Sequence, residues 1–324
     1  EKIVIADFRN IQLQEIDFSP NINCISGNNG EGKTNLLDAI YYMSMTKSAF
    51  ASSDKFNFRH GCDEFSIAGT YRMENALQSR FALKMTSKGD KKVKRDDKPY
   101  QKISEHVGVL PVVMVSPADV SMVSESGEER RKFVNAVLSQ MDREYMSAMQ
   151  QYNRLLLQRN RMLKDPVVDR SLLEVMDMRM SSLAQPIYER RKQFIEDLKP
   201  IVAEYYRSLS GDSEQVNIEY ESELSGGSLE SILAASFEKD RIMKHTTSGI
   251  HRDDFAFTMN GHPIRRFGSQ GQQRTAALSL KLAEAEISNR IRGEYPVILL
   301  DDVFSELDEN RRKYILDSLG KDDS

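Results

Sequence analysis

Hydrophobic and polar residues follow two different periodicities along the chain, and the change between them divides the sequence. Over the first 116 residues, apolar residues form short runs or alternate with polar ones, as is typical of strands bounded by turns. These runs are KIVIADF, NINCIS, EFSIAGTY, SRFALKM and LPVVMVS. From Glu125 to about Leu209, apolar residues recur at helical spacing and glycine is almost absent. Three prolines are expected to separate three or four helices there: Pro166, Pro186 and Pro200.

Strand character returns after this helical stretch. QVNIEYES and DDFAFTM both predict strands, and Asn260-Gly261 predicts a two-residue hairpin after the second. We therefore expect an α/β fold whose mixed or parallel sheet begins near the N-terminus and is completed far downstream. We expect one discontinuous domain that comprises residues 1–116 and 213–324, and a helical insertion that comprises residues 117–212.

A glycine-rich segment follows Ile22–Ser26, a run expected to form a short strand, and precedes the apolar-periodic LLDAIYYM. GNNGEGKTN, residues 27–35, fits the phosphate-loop pattern G-x-x-x-x-G-K-[ST]. Its glycines let backbone N–H groups point at a β-phosphate, and the following helix adds its positive end. Lys33 can bridge the β- and γ-phosphates, and the Thr34 hydroxyl can complete a Mg²⁺ shell. We expect this segment to bind ATP through Gly27, Asn28, Asn29, Gly30, Glu31, Gly32, Lys33, Thr34 and Asn35.

YPVILLDDVFSELD, residues 295–308, supplies the acidic half of such a site. Val297 to Leu300 is a fully apolar run, which predicts a central parallel strand that ends at Asp301-Asp302. Carboxylates at this end of a strand face the ligand crevice of an open α/β sheet. Asp301 is expected to hold Mg²⁺ together with Thr34, and Asp302 to polarise an attacking water, with Lys33 as the second catalytic group. The alternative is an acidic turn after a buried strand.

A second anion-binding device lies between these segments, in FGSQGQQRTAALSLKLAEAEISNRI. Ser269 and Gln272 have the spacing of a capping box at the start of a helix. A helix N-terminus built from small residues attracts anions, although an ordinary capped helix explains the same pattern. One face of the helix is expected to carry Ala276, Leu280, Ala283 and Ile287.

Composition indicates a globular protein and weighs against several other classes. The chain has 324 residues, of which 40% are hydrophobic, and no run of some 18 apolar residues. Its first residues lack the layout of a secretory signal, so a cytoplasmic setting without a membrane partner is expected. Cys24 and Cys62 have no metal-ligand spacing and are expected to be reduced packing residues.

A net charge of −4 argues against a surface coated with positive charge, but local basic patches remain possible. The densest lies within Lys84–Lys102, whose Gly-Asp turn signal predicts an exposed hairpin tip. The patch can be a solvated turn, or it can contact DNA through Lys91, Lys92, Lys94 and Arg95. The helical stretch is a second candidate, although its basic residues also fit the solvent-exposed faces of amphipathic helices: Arg154, Arg159, Arg161, Lys164, Arg190, Arg191 and Lys192.

The order of these motifs resembles that of the ABC-type ATPase heads of the SMC, Rad-type and RecF group. The run NCISGNNGEGKTNLLDAIYY, SPADVSMVSESGEERRKFVN, YNRLLLQRNRMLK, SGIHRDDF, GSQGQQRT and LLDDVFSELD is similar to the RecF family of DNA replication and repair proteins. The resemblance extends from one end of the chain to the other. An insertion of about 85 residues is too short for the long coiled coils of SMC and Rad-type proteins, and SQGQQR differs from the LSGGQ of transporters.

The resemblance implies a head-to-tail homodimer that closes around ATP. Ser269, Gly271 and Gln272 would contact the γ-phosphate held by the partner subunit, and Asp308 would lie near that interface. Many heads of the group have glutamate where this chain has Asp302, and the shorter side chain implies slow hydrolysis that times a switch. Members of the group continue to a further strand with a γ-phosphate-sensing residue, so the head is expected to be incomplete beyond Ser324.

The resemblance also implies the function: an ATP-dependent clamp on double-stranded DNA beside ds/ss junctions. RecR-like and RecO-like mediators would be its partners in recombinase loading and the SOS response. Two other classes stay open, a motor or transport ATPase subunit and a metal-dependent nuclease. His251-Arg252-Asp253-Asp254 is expected to form a strand-end polar network, and Arg9-Asn10 either approaches the nucleotide or forms a surface turn.

Overall fold

The computed structural model describes residues 1–73, 77–211, 214–306 and 309–319. Its helices are α1 (Lys33–Met45), α2 (Ser121–Ser124), α3 (Gly127–Met141), α4 (Arg143–Met162), α5 (Arg170–Ser210), α6 (Leu229–Met243), α7 (Ile264–Phe267), α8 (Gln270–Arg292) and α9 (Glu309–Leu319). Its strands are β1 (Lys2–Phe8), β2 (Ile11–Asp17), β3 (Glu64–Arg72), β4 (Gln78–Thr86), β5 (Lys91–Arg95), β6 (Lys98–Pro99), β7 (Val112–Val115), β8 (Val216–Glu221), β9 (Asp254–Met259), β10 (His262–Pro263) and β11 (Val297–Leu300). The chain forms two compact units: the first unit is residues 1–117 with 288–324, and the second unit is residues 118–287.

The first unit is built on a six-stranded antiparallel sheet in the order β2-β1-β3-β4-β5-β6. Period-two alternation gives the sheet one apolar face, because alternate residues are buried throughout β4 and over most of β1 and β3. Helix α1 packs on that face, where the Tyr42 ring meets Phe8 and Phe65 edge-on at 5.9 and 5.3 Å. The face that carries α1 is called the inner face below, and the opposite one the outer face.

A parallel pair of strands, β7 and β11, joins the two sequence segments of the first unit. Val112 to Val115 pairs in register with Val297 to Leu300, so a distant segment does complete a parallel pair, although the sheet that begins near the N-terminus is antiparallel and does not include β11. The strand is less enclosed than expected, since Val297 is 48% exposed and β7 is the only neighbour of β11 among the described residues.

The prediction of a strand at Ile22–Ser26 is wrong. Residues 21–28 adopt no regular structure, and Ile22 and Ile25 are 53% and 38% exposed. Cys24, expected to be a packing residue, is also exposed. An apolar run forms a strand only where a neighbouring backbone supplies ladder hydrogen bonds, and no strand of the described chain pairs with this segment.

The second unit packs α3, α4, α5, α6 and α8 with the three-stranded sheet β10-β9-β8 around one hydrophobic cluster. Residues 214–287 therefore group with the helices, although the sequence assigned them to the head domain. The reason is that strands β8 and β9 bury Ile218, Phe255 and Phe257 in the same cluster as the α5 residues. The hairpin at Asn260-Gly261 formed as predicted, with Met259 opposite His262.

Two of the three prolines that were expected to separate helices lie inside a helix instead. Pro186 and Pro200 lie inside α5, a 41-residue helix, and only Pro166 lies between two helices. A proline removes one backbone donor, but an apolar stripe on both sides of each proline is buried. The stripe includes Ala184, Ile187, Leu198 and Ile201. We infer that this burial compensates for the lost hydrogen bonds and keeps the helix continuous.

A buried arginine ties the elements of the second unit together. Arg191, on α5, is fully buried and donates to the Asp253 carboxylate and the Ile250 carbonyl, each at 2.7 Å. It also contacts the Tyr145 hydroxyl at 3.1 Å and the Asn135 side chain at 3.0 Å. Its partners lie on three segments, so this guanidinium fixes the packing of α3, α4 and α5 against the segment before β9.

No helix in the described ranges is both long enough and apolar enough to span a bilayer.

We expect replacement of Arg191 by leucine to lower the free energy of unfolding by about 3–5 kcal/mol, because Asp253 would stay buried without its cation. The neighbouring Arg190 is the matched control. It is 56% exposed and pairs with Asp142 at 3.0 Å, so Arg190→Leu should cost at most about 1 kcal/mol. Urea unfolding measures both changes, and equal losses would contradict the assignment.

Candidate nucleotide site

The phosphate loop has a backbone shape that only glycine adopts without strain at its key positions. Gly32 has φ +100° and precedes α1 as its N-cap. A Cβ at Gly32 would also lie 2.8 Å from the Asn10 side-chain oxygen. The loop therefore curls tightly and directs the N-terminus of α1 toward the space inside it, as predicted from the motif.

Lys33, the first residue of α1, folds back over the loop. Its ammonium donates to the carbonyls of Gly27 at 2.7 Å and Asn28 at 2.8 Å. The Glu31 carboxylate accepts from the Asn28 backbone N–H and side-chain amide, and these bonds hold the pKa of Glu31 below its usual value. The Lys33 ammonium thus lies against the phosphate loop, where a cation suits a polyphosphate.

The Thr34 hydroxyl lies against the Asp301 carboxylate, 2.8 and 3.1 Å from its two oxygens, although the residues are 267 positions apart. Pairing of β7 with β11 explains the contact, because it continues into a hydrogen bond from Asp301 N–H to the Val115 carbonyl. A hydroxyl and a carboxylate are hard oxygen donors of the kind Mg²⁺ prefers. The two predicted metal ligands are therefore together and fit the ion.

Asp302, the predicted catalytic base, follows at the exposed end of β11. Its backbone has φ +50°, in the left-handed region that aspartate tolerates better than most residues, and the Ser305 hydroxyl donates to its carbonyl at 2.8 Å. The Asp302 residue is exposed to solvent. Asp308, expected near the dimer interface, lies outside the described residues.

Arg9 and Asn10 lie in the β1–β2 turn, and their side chains contact the phosphate loop and helix α1. Asn10 donates to the Gly30 carbonyl at 3.3 Å and accepts from the Asn35 amide at 2.7 Å. Arg9 contacts Asn35 at 3.0 Å and forms an ion pair with the buried Asp38 at 2.6 Å. Burial raises the pKa of Asp38, and Arg9 opposes that rise. The turn is therefore part of the site, and its contacts are with the phosphate loop and the start of α1.

The helix start that was predicted as a second anion-binding site lies in the second unit. Ser269 and Gln272 form the expected capping box, in which the Ser269 N–H donates to the Gln272 side chain at 2.6 Å and the Gln272 N–H to the serine hydroxyl at 3.2 Å. Ser269 and Gly271 are exposed at the start of α8. Glu214 accepts from the Gln272 side-chain amide, a contact that no sequence spacing indicated.

The HRDD element forms the polar network that was predicted for it. Asp253 accepts from Arg191 and from the Tyr220 hydroxyl, and Asp254 pairs with Arg130 at 2.7 and 3.0 Å. His251 contacts the Tyr152 hydroxyl at 2.9 Å. These bonds join the start of β9 to α3, α4, α5 and β8, so the element is structural.

Comparisons with known proteins agree with this fold. The family described as RecF/RecN/SMC N terminal domain matches residues 1–324. A protein of Parabacteroides distasonis named DNA replication and repair protein RecF is 43% identical over 316 residues, which are 98% of this chain and 86% of that protein. A solved structure described as the recombination mediator protein RecF-ATP in the RecFOR pathway has a TM-score of 0.94 and 33% identity, and the match covers 99% of this chain and 89% of that one.

The Smc head domain of Pyrococcus furiosus shares the fold more distantly, with a TM-score of 0.55 and 17% identity over 98% of this chain and 85% of that one. The fold and the phosphate loop thus define an ABC-type ATPase head with an inserted helical segment, as the sequence predicted. Within this class the chain belongs to the RecF family.

Burial, with smaller contributions from Arg252 and Arg131, lowers the pKa of His251 to about 4. The unfolded chain therefore binds a proton below about pH 6.5 that the folded protein does not bind until about pH 4. We expect stability to fall as the pH drops through this window, by about 3 kcal/mol from this residue.

The variant His251→Gln should remove that part of the pH dependence. Urea unfolding at several pH values between 4 and 7 measures it, with His60→Gln at an exposed position as the control. A pH profile of His251→Gln that ran parallel to that of the unchanged protein would contradict the assignment.

Proposed function

We propose that this protein is an ATP-driven switch that acts on DNA in replication and recombinational repair. ATP would bind at residues 27–35, with Thr34 and Asp301 holding Mg²⁺. The observation that carries the proposal is the contact of Thr34 with Asp301, because it unites the two halves of the phosphate site from opposite ends of the chain. Membership of the RecF family supports the same conclusion.

Each residue of the site has a role that follows from its chemistry. Lys33 would exchange its two carbonyl contacts for the β- and γ-phosphate oxygens, while loop N–H groups bind the β-phosphate. The divalent ion would neutralise phosphate charge when bound. Asp302 would accept a proton from the attacking water, and its short side chain favours slow turnover suited to a timing switch.

The start of α8 would complete the nucleotide site in a head-to-tail homodimer. Ser269, Gly271 and Gln272 would contact the γ-phosphate bound by the partner subunit. Ser269 and Gly271 are exposed at the start of the 23-residue helix α8, which supports this role because a partner can reach them. ATP would then favour the closed dimer through its γ-phosphate, and hydrolysis would release it.

On DNA, the closed dimer would act as a clamp on duplex next to single-stranded gaps. We propose that it supports recombinase loading and the SOS response with RecR-like and RecO-like mediators in the cytoplasm. The relatives named for DNA replication and repair, and the similar structure from the RecFOR pathway, support this proposal. Contacts would be made mainly to phosphates, so binding should weaken steeply with salt.

Analytical ultracentrifugation tests the whole proposal. The chain is sedimented with ATP and Mg²⁺, with and without a short gapped duplex, and compared with samples that contain ADP. We expect ATP-dependent dimers that co-sediment with the duplex. Failure of ATP both to promote dimers and to tighten DNA binding would reject the clamp, and rapid DNA-independent hydrolysis would favour a motor or transport ATPase instead.

The variant Lys33→Ala should lose ATP binding, because it removes the cation at the β- and γ-phosphates. Calorimetric titration with ATP and Mg²⁺ measures the affinity. Lys55→Ala, at an exposed position of the same unit, is the control and should bind like the unchanged protein. Retained ATP affinity in Lys33→Ala would mean that residues 27–35 are not the nucleotide site.

A further inference from the structure

The basic residues of β5 divide between the two faces of the six-stranded sheet. Lys91 faces inward, where its ammonium contacts Asp54 at 2.8 Å and the Thr46 carbonyl at 2.7 Å. Arg95 also faces inward and lies over the Phe81 ring. Lys92 and Lys94 alternate with them and are exposed on the outer face. Only these two of the four candidate DNA contacts are thus available on the outer face of the sheet.

Strand pairing places a third lysine beside them. Lys84, on β4, lies directly opposite Lys92, while Lys94 lies opposite Ala82. Directly opposed side chains have Cβ atoms about 5 Å apart, and residues two apart on a strand are about 7 Å apart. Lys84 donates to the Glu64 carboxylate at 2.8 Å, so its charge is offset, and Lys92 and Lys94 are the lysines that offer positive charge to an external anion.

The rest of the outer face gives a long anion room to approach. Its neighbouring positions on β1, β3 and β4 carry small side chains, which do not project far from the sheet: Ala6, Ser66, Ala68 and Ala82. At the far edge the charge reverses, because Glu15 and Asp17 on β2 pair with Lys2. Glu64 offsets Lys84 at the near end, so Lys92 and Lys94 supply the positive charge that this end of the face offers to DNA.

The helical stretch offers less to an external anion. Arg159 and Arg191 are buried in ion pairs with Asp177 and Asp253, and Arg190 pairs with Asp142. Three of its seven candidate basic residues therefore serve the protein's own structure.

We propose that Lys92 and Lys94, with Lys84 beside them, bind the sugar–phosphate backbone of duplex DNA on the outer face of the six-stranded sheet. The inference rests on the proposed DNA-binding function and names the surface that performs it. Because α1 packs on the inner face, a duplex here would leave the phosphate loop accessible. The contacts would carry no base specificity, since lysine recognises phosphate as a point charge.

Fluorescence anisotropy with a labelled gapped duplex, ATP and Mg²⁺ tests this surface at several salt concentrations. The double variant Lys92→Gln/Lys94→Gln should weaken binding on the order of tenfold, and should reduce the slope of log affinity against log salt by about 1.8. The matched control is Lys164→Gln/Lys192→Gln, which removes the same charge from exposed positions of the second unit and should change neither quantity. Unchanged ATP affinity shows that the sheet variant is folded.

Each other outcome overturns the assignment and points elsewhere. If the unchanged protein does not bind the duplex, the proposed function itself fails. If it binds and only the control variant loses affinity, the helical stretch is the DNA surface. If the sheet variant keeps both its affinity and its salt slope, Lys92 and Lys94 are solvent-exposed residues of the hairpin without a role in DNA binding.

Discussion

The parallel pairing of β7 with β11 is the constraint on which the nucleotide site depends. It brings Asp301 from near one end of the chain to Thr34 near the other, with one backbone hydrogen bond beyond the paired strands to fix the register. A shift of one residue would turn Leu299, the buried residue of β11, to the opposite face and move the carboxylate. The position of Asp301 relative to Thr34 therefore depends on the pairing of these two short strands.

Positive charge has separate uses in this acidic protein, and they are distinguished by burial. Arg191 and Arg159 are enclosed and orient neighbouring segments, whereas Arg9 holds the phosphate-loop helix through Asp38 and Asn35. Lys92 and Lys94 are left on an open face. The net charge of −4 is a sum over buried and exposed residues, so it does not argue against binding of a polyanion to one exposed surface.

The features that could be predicted from sequence are those whose cause is local. The phosphate loop, the Ser269–Gln272 capping box and the Asn260-Gly261 hairpin each depend on neighbouring residues, and each formed as expected. The run at Ile22–Ser26 has the composition of a strand, but a strand also needs a partner that composition does not reveal. Pro186 and Pro200 were misjudged for the same reason, because burial of α5 by distant segments outweighs a local helix breaker.

The nested arrangement of the two units also has a consequence for biosynthesis. The second unit is one continuous segment, residues 118–287, whereas the first unit needs residues from both sides of it. A ribosome therefore releases all of the second unit before β11 exists, and domains fold as units during synthesis. Until the last segment emerges, β7 has no partner strand in β11 and Thr34 has no carboxylate beside it. The nascent chain consequently completes its helical segment before its phosphate site.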